Sequence, residues 1–268
     1  MAYSKRTARM LNTIIFSKDR GAQLDLLLRS MDKYWRNRPI PRIIYTTTTP
    51  EYEAGYDRVK AEHDNIVWIK ETSFKQNLIA SIVPDHRFTV CFCDDDLFVH
   101  DFKVDCGHIN RMRTESDIMC LALRMRQGLT SCYAYNRPMK NPPFNHGAYE
   151  WRGAEGDYGY PMSLDGSIFR TKEILPKLTD LNYHNPNQLE GALAGTPIQL
   201  PKVLCFQHQV IVSVPLNRVQ VENQNRCAGH EAKDFNDQWL SGKRLSLSKR
   251  DGRPFRSVHA EMRVSWSE

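Results

Sequence analysis

The sequence predicts an α/β fold: a mixed, mainly parallel sheet flanked by helices on both faces. Three observations point there. Short apolar runs recur along the first two thirds of the chain, segments of helical period lie between them, and polar turn residues punctuate the joins.

Taken in order, NTIIF (12–16) reads as a buried strand, and SKDRGAQ after it holds turn and capping residues. Leu24, Leu27, Leu28, Met31 and Trp35 then recur at helical spacing and make one apolar face. PRIIYT (41–46) is a second strand, followed by a helix around 53–62. NIVWIK (65–70) is a third, and SFKQNLIASIV after it is a helix opened by Ser73. FTVCFC (88–93) is the fourth strand and the most apolar; a helix near 104–114 then leads to a fifth, DIMCLAL (117–123). Residues 124–161 change character and are dense in aromatic, Pro, Gly and Asn residues, and a loop this long in a compact domain tends to be functional. Order returns with MSLDGSIF, before a helix opened by Thr171. HNPNQLEGALAG is punctuated as a helix, with Asn185 as N-cap, Pro186 in the first position, Gln188 completing a capping box and Gly195 as stop. Two strands, KVLCF and QVIVSV, follow. The remainder is read as one short helix near 234–240 and a basic, mostly irregular tail, and the chain holds no internal repeat or low-complexity tract.

The chain has 268 residues, 41% of them hydrophobic and 25% charged, which suits a soluble globular protein with a core of its own. No stretch approaches the roughly 20 apolar residues of a membrane span. The N-terminal MAYSKRTARMLNTIIFSK is basic, but its apolar run is too short for a signal sequence and leads straight into a strand pattern. A cytoplasmic location is therefore expected. Seven cysteines without CxxC spacing argue against a disulfide framework and a zinc ribbon. Cys91 and Cys93 share one face of a strand and read as small, reduced hydrophobes. The net charge of +6 suits a protein that handles phosphates, nucleic acid or anionic polymers.

Asp94, Asp95 and Asp96 directly follow the most apolar strand. Three adjacent carboxylates raise one another's pKa and resist burial unless a cation neutralises them. In open parallel sheets, ligands lie beyond the carboxyl ends of the strands. Carboxylates select hard cations such as Mg²⁺ or Mn²⁺, which reach substrates through phosphate oxygens. A divalent ion on a diphosphate is the expected occupant.

An N-terminal strand running into a polar loop, IIFSKDRGAQLDLLLRSM, and then a buried strand ending in Asp-x-Asp, FCDDDLF, resemble the GT-A superfamily of nucleotide-sugar-dependent glycosyltransferases in its bacterial and phage members. The resemblance covers residues 12–215. It implies a GT-A-type, Rossmann-like sheet over 1–215, with a nucleotide-sugar half at about 12–123 and an acceptor half at about 124–215. Residues 216–268 would then be a closing segment and basic tail of the same domain. It also implies that Ser17, Lys18, Asp19 and Arg20 form the nucleoside loop, with Lys18 or Arg20 on phosphate. Asp94 would face the ribose and share the Mn²⁺ or Mg²⁺ that Asp96 binds, Asp95 would lie between them, and Lys75 would contact the base.

Sugar transfer needs a neutralised diphosphate, a positioned acceptor hydroxyl and, for inversion, a carboxylate that takes its proton. Glu190, in the first turns of the capped helix, where the resemblance places a general base, is the candidate base. Asp165, just before a glycine that permits close backbone approach, is the candidate sugar contact. The resemblance further implies a C-terminal histidine on the metal, His259 ahead of His230, and anionic contacts from Arg218, Asn225 and Arg226. Tyr133, Tyr135, Phe144, Tyr149, Trp151, Tyr158 and Tyr160 mark the acceptor region, without separating a sugar from a base.

The expected function is thus metal-dependent transfer from a nucleotide sugar, UDP favoured as carrier, to a hydroxyl on a saccharide or other glycan. A phage-type enzyme acting on hydroxymethylated bases in DNA, located in the host cytoplasm, is the alternative; the tail GKRLSLSKRDGRPFR suits a phosphate backbone. A nucleotidyltransferase would share the sheet but carry a Gly-rich signature that SKDRGAQ lacks. A non-catalytic nucleic-acid-binding module finds no helix-turn-helix, zinc-finger or RNP pattern.

Overall fold

The computed structural model describes residues 10–104, 106–220, 222, 226–249 and 253–268. Its elements, in chain order, are β1 (Leu11–Lys18), α1 (Gly21–Tyr34), β2 (Arg42–Thr46), α2 (Pro50–Glu62), β3 (Val67–Lys70), α3 (Phe74–Ala80), β4 (Phe88–Cys93), β5 (Asp96–Phe98), α4 (Gly107–Thr114) and β6 (Ile118–Ala122). The second half adds β7 (Phe144–Asn145), β8 (Ala148–Glu150), β9 (Ser167–Arg170), α5 (Thr171–Asp180), α6 (Pro186–Gly195), β10 (Lys202–Cys205), β11 (Ile211–Ser213), α7 (Ala232–Leu240), β12 (Arg244–Lys249) and β13 (Met262–Ser267).

Nine strands make the central sheet in the order β7-β8-β10-β6-β9-β4-β1-β2-β3. The pairs β4/β1, β1/β2, β2/β3 and β10/β6 are parallel. β9 enters antiparallel between β6 and β4. The expected α/β fold with a mixed, mainly parallel sheet is therefore the one observed. The period of two in β1 separates two cores: Leu11 and Ile15 join one, Ile14 and Phe16 the other. α1, α2, α4 and α7 cover the first face through residues such as Leu24, Tyr56, Ile109 and Trp239; α3, α5 and α6 cover the second through Phe74, Leu178 and Leu189. Cys91 packs in the second core with Cys93 against it, as their shared face requires, and among the described residues the cysteines form no disulfide.

Several local expectations are corrected. The helix expected from residue 104 begins at Gly107 and the strand expected from 65 begins at Val67. Within the long loop, β8 pairs with β10 and so belongs to the sheet. The tail is not mostly irregular: β12 and β13 form an antiparallel pair whose Leu245 and Met262 lie in the first core. Arg244 holds that pair down by bonding to Asp25 at 3.1 Å and to Glu62. Asn185 does cap α6, accepting from Gln188 N at 3.0 Å, while the Gln188 side chain accepts from His184 N at 2.9 Å. No helix among the described residues is long and apolar enough to cross a membrane.

Gly166 shows how tightly the sheet is drawn around the loops it carries. Its φ is +73°, its N–H donates to Cys91 O at 2.8 Å, and an added Cβ would stand 2.3 Å from Ile211 Cδ1. The close approach expected of this glycine is made to neighbouring strands. Gly166→Ala should lower the free energy of unfolding by about 2–4 kcal/mol, from the left-handed φ and the overpacking together. Chemical denaturation reads this directly, and an unmoved midpoint would contradict the packing.

Candidate functional site

The register of β1 against β4 pairs Phe16 with Cys93, so the residues after each strand end side by side. Asp94 N donates to Phe16 O at 3.1 Å, and the Asp94 carboxylate, 4% exposed, turns back over the end of β1. It accepts from Ser17 Oγ at 2.8 Å, from Lys18 N at 3.2 Å and from Arg20 Nη1 at 2.8 Å. Tyr56 from α2 stands 2.5 Å from Ser17 Oγ and fixes that hydroxyl. Arg20 also donates to the Asn217 side chain at 2.7 Å and to Asn217 O at 2.5 Å, which ties the first loop to the segment after β11. Burial opposes the Arg20 charge, yet Asp94 and Asp95 hold its pKa above the usual arginine value.

Asp19 has φ +54° and faces away from this knot: its carboxylate accepts from Thr48 N at 2.7 Å and from Thr48 Oγ1 at 2.9 Å, bracing the loop after β2. Lys18 is half-buried at the end of β1. Lys75 is not brought to the loop; its amine donates to Leu181 O at 2.7 Å and lies over the Tyr183 ring.

A second knot forms at the same edge of the sheet. Arg124 leaves the end of β6 and pairs with Asp165 at 2.6 Å, while donating to Ser213 Oγ at 3.0 Å and Ser163 Oγ at 2.5 Å. Ser213, paired with Asp96 between β11 and β5, donates to the Asp96 carboxylate at 2.6 Å. Asp165 precedes the antiparallel β9, which is how its loop reaches the carboxyl end of the parallel strands. Glu190 from α6 accepts from Leu164 N at 3.3 Å, and the Ser163 hydroxyl bonds it too. Burial and the charge of Asp165 push the Glu190 carboxyl up to about 7, against the pull of Arg124. That is where a general base working at neutral pH should stand.

The acidic triplet thus divides its work. Asp94 is committed to the first knot and Asp96 to Ser213 and to Cys93 N at 3.1 Å. Asp95 is the more open, 21% exposed and 3.6 Å from Arg20. Burial, with Asp94 and Asp165 nearby, pushes Asp95 up to about 7 despite Arg20. Burial and Asp165 push Asp96 well above the carboxylate range. Both carboxyls therefore resist ionising until a cation approaches.

His259 enters from the C-terminal segment. It bridges to Ser213, and its ring stacks on Tyr133 at 5.4 Å, with Nδ1 buried and unpartnered. Burial, with Arg124 adding to it, holds the imidazole down at about 4, so it is neutral. His230 is exposed against Phe235. Arg226 pairs with Glu261 at 2.6 Å, Arg218 is exposed, and Asn225 lies outside the described residues. Among the described residues no three His, Cys, Asp or Glu side chains are grouped to hold a metal by themselves, so the expected trio Asp94, Asp96 and His259 is not assembled as a closed set. Mg²⁺ and similar ions need only one or two protein carboxylates when phosphate oxygens and water supply the rest. The raised carboxyls of Asp95 and Asp96 fit such an ion.

Arg124, Ser163, Ser213, Asn217 and Tyr56 escaped the sequence reading. Arg124 carried one legible signal, a cation directly after the apolar run MCLAL, the mirror of the aspartates after FTVCFC.

No family model matches the chain. It is similar to the bifunctional glycosyltransferase pgtA of Dictyostelium discoideum, 23% identical over 189 residues, which are 61% of this chain and 24% of the relative. The chain therefore spans about a quarter of the length of the curated relative it matches. Among solved structures it overlaps S. aureus TarS residues 1–349 with a TM-score of 0.45 and 9% identity, over 75% of this chain and 59% of that one. A cytidylyltransferase from Leptospira borgpetersenii overlaps with a TM-score of 0.40 and 10% identity, over 75% of this chain and 76% of that one.

The Arg20–Asp94 contact yields a stability prediction. Removing one partner of a buried pair strands the other charge, at a cost of about 3 kcal/mol or more. A double-mutant cycle with Arg20→Met and Asp94→Asn, read by urea denaturation, should return a coupling of about 2 kcal/mol. Additive single effects would show that the pair does not hold the loop.

Proposed function

We propose that the chain is a glycosyltransferase that takes its sugar from a nucleoside diphosphate donor, UDP being the favoured carrier, and passes it to an acceptor hydroxyl. One observation carries the reading: the acidic loop after β4 and the Arg124–Asp165–Glu190 group meet at the carboxyl edge of one sheet, with Glu190 pushed up to about 7. The sequence similarity to a bifunctional glycosyltransferase supports it.

In this reading the first loop, fixed by Tyr56, Ser17 and Asp94, receives the nucleoside, with Lys18 at its rim. Asp95 and Asp96 would hold a divalent cation, Mn²⁺ or Mg²⁺, whose chemistry is to neutralise charge on the departing diphosphate. Asp165, held by Arg124, contacts the donor sugar. Glu190 takes the proton of the acceptor hydroxyl as that oxygen bonds to the anomeric carbon. The bond from that carbon to the phosphate oxygen breaks, and its electron pair leaves with the diphosphate. Single displacement of this kind inverts the anomeric centre.

The sign of the pH dependence follows from the direction of the shift. A Glu190 carboxyl raised from its ordinary value to about 7 is protonated, and useless as a base, below that pH. UDP release from UDP-glucose, UDP-galactose and UDP-N-acetylglucosamine should therefore fall about tenfold per pH unit below about 7. Glu190→Gln should lose at least about 100-fold and the acid limb with it. A flat profile across this range, or a fully active Glu190→Gln, would place the base elsewhere.

A further inference from the structure

The structure sorts the seven aromatic residues of the long loop. Phe144, Tyr149 and Tyr158 pack ring on ring, at 5.1, 5.9 and 5.2 Å between centroids. Trp151 donates to Leu200 O at 2.7 Å, and Tyr133 carries the His259 ring and the Arg226 guanidinium. Five of the seven are thus committed to holding the loop. Tyr135 and Tyr160 remain, 70% and 41% exposed, and they are the two exposed large aromatics among the described residues.

Their positions are fixed from behind. Tyr135 sits in the turn of a small hairpin between Ser131–Cys132 and Arg137–Pro138, closed by Asn136 N donating to Tyr133 O at 3.2 Å. Because Tyr133 stacks on His259, which bridges to Ser213, the hairpin is tied to the second knot. Tyr160 follows the 3₁₀ turn Gly156–Gly159 and leads through Pro161 and Met162 to Ser163. That turn is packed on the hairpin: a Cβ on Gly156 would stand 2.8 Å from Met139 Sδ and 3.1 Å from Cys132 Cβ. Burial raises the Tyr160 phenol, and the charges of Glu190 and Asp165 and the Tyr135 side chain raise it further, so all three are in its electrostatic reach.

We propose that Tyr135 and Tyr160 form the acceptor subsite, an aromatic platform for the apolar face of a neutral sugar ring, which makes the acceptor a saccharide. This rests on the glycosyl-transfer reading. Aromatic faces bury the C–H side of such a ring while its hydroxyls stay free to bond. The charged groups in reach of Tyr160 are the carboxylates of Glu190 and Asp165, which accept from sugar hydroxyls, and the Arg124 guanidinium, which Asp165 already pairs at 2.6 Å. Of the cations near the hairpin, Arg226 pairs with Glu261 at 2.6 Å and Arg137 lies over the Tyr135 ring at 5.0 Å.

Saturation-transfer NMR tests this with the full chain, using the methyl α- and β-glycosides of glucose, galactose, mannose and N-acetylglucosamine as probes and a single-stranded oligonucleotide as comparison. At least one glycoside should receive saturation on its ring C–H protons. The Tyr135→Ala, Tyr160→Ala double variant should reduce it at least about tenfold with an unchanged circular dichroism spectrum. Ile40→Ala, an exposed apolar side chain outside the loop, should leave it unchanged. Full signal in the double variant, or a wild type silent to every glycoside, would overturn the platform, and oligonucleotide binding lost in the same variant would replace it with a base-stacking site. A UDP and Mn²⁺ thermal shift on the wild type separates the two claims. Glycosides held at the tyrosines without any UDP response would keep the subsite and remove the donor reading, and the reverse would remove the subsite alone.

Discussion

At one edge of the sheet, Asp94, Asp95, Asp96 and Asp165 stand with Arg20 and Arg124, and the surrounding loops are shaped by the need to balance those charges out of water. A buried guanidinium must find a carboxylate and further acceptors, or its desolvation is not offset. Arg20 therefore draws Asp94 and Asn217 together, and Arg124 draws Asp165, Ser163 and Ser213. Asp95, 3.6 Å from Arg20, and Asp96, in reach of Arg124, are only partly balanced, and burial keeps both carboxyls above their ordinary range.

Much of this was legible in the chain. The apolar runs 12–16 and 88–93 announced two strands, and their parallel register brings the polar residues after each of them together. Asn185 and Pro186 marked the helix that carries Glu190. Other parts were not legible, because their partners are remote. Asn217 meets Arg20 across nearly two hundred positions, and Ser213 matters only because β11 pairs with β5. The tail was misread for a different reason: charges in KRLSLSK masked an alternation of Leu245 with Leu247 that answers Met262, Val264 and Trp266 across the pair. Lys75 looked available on its helix until α5 offered it the Leu181 carbonyl.

The C-terminal segment then acquires a structural meaning. Asp25, fully buried in α1, gathers Arg29, His63 and Arg244, and so clamps β12 onto the helices of the first core. With that pair anchored, residues 257–260 run along β11, where Ser213 N donates to Val258 O and Ala260 N to Ser213 O. The tail brings His259 beside Ser213 and within reach of the charges of Arg124 and Asp165 and, through Tyr133, ties the hairpin 131–138 to β11. One strand pairing thereby links both halves of the site.

The central claim is that Asp95 and its neighbours await a cation-borne diphosphate. Isothermal titration of UDP into the wild type and Asp95→Asn, each with Mn²⁺ and with EDTA, tests it most directly. The account requires wild-type binding that weakens at least about tenfold when the metal is chelated, and an Asp95→Asn protein that binds weakly with or without it. UDP affinity equal under all four conditions would contradict it.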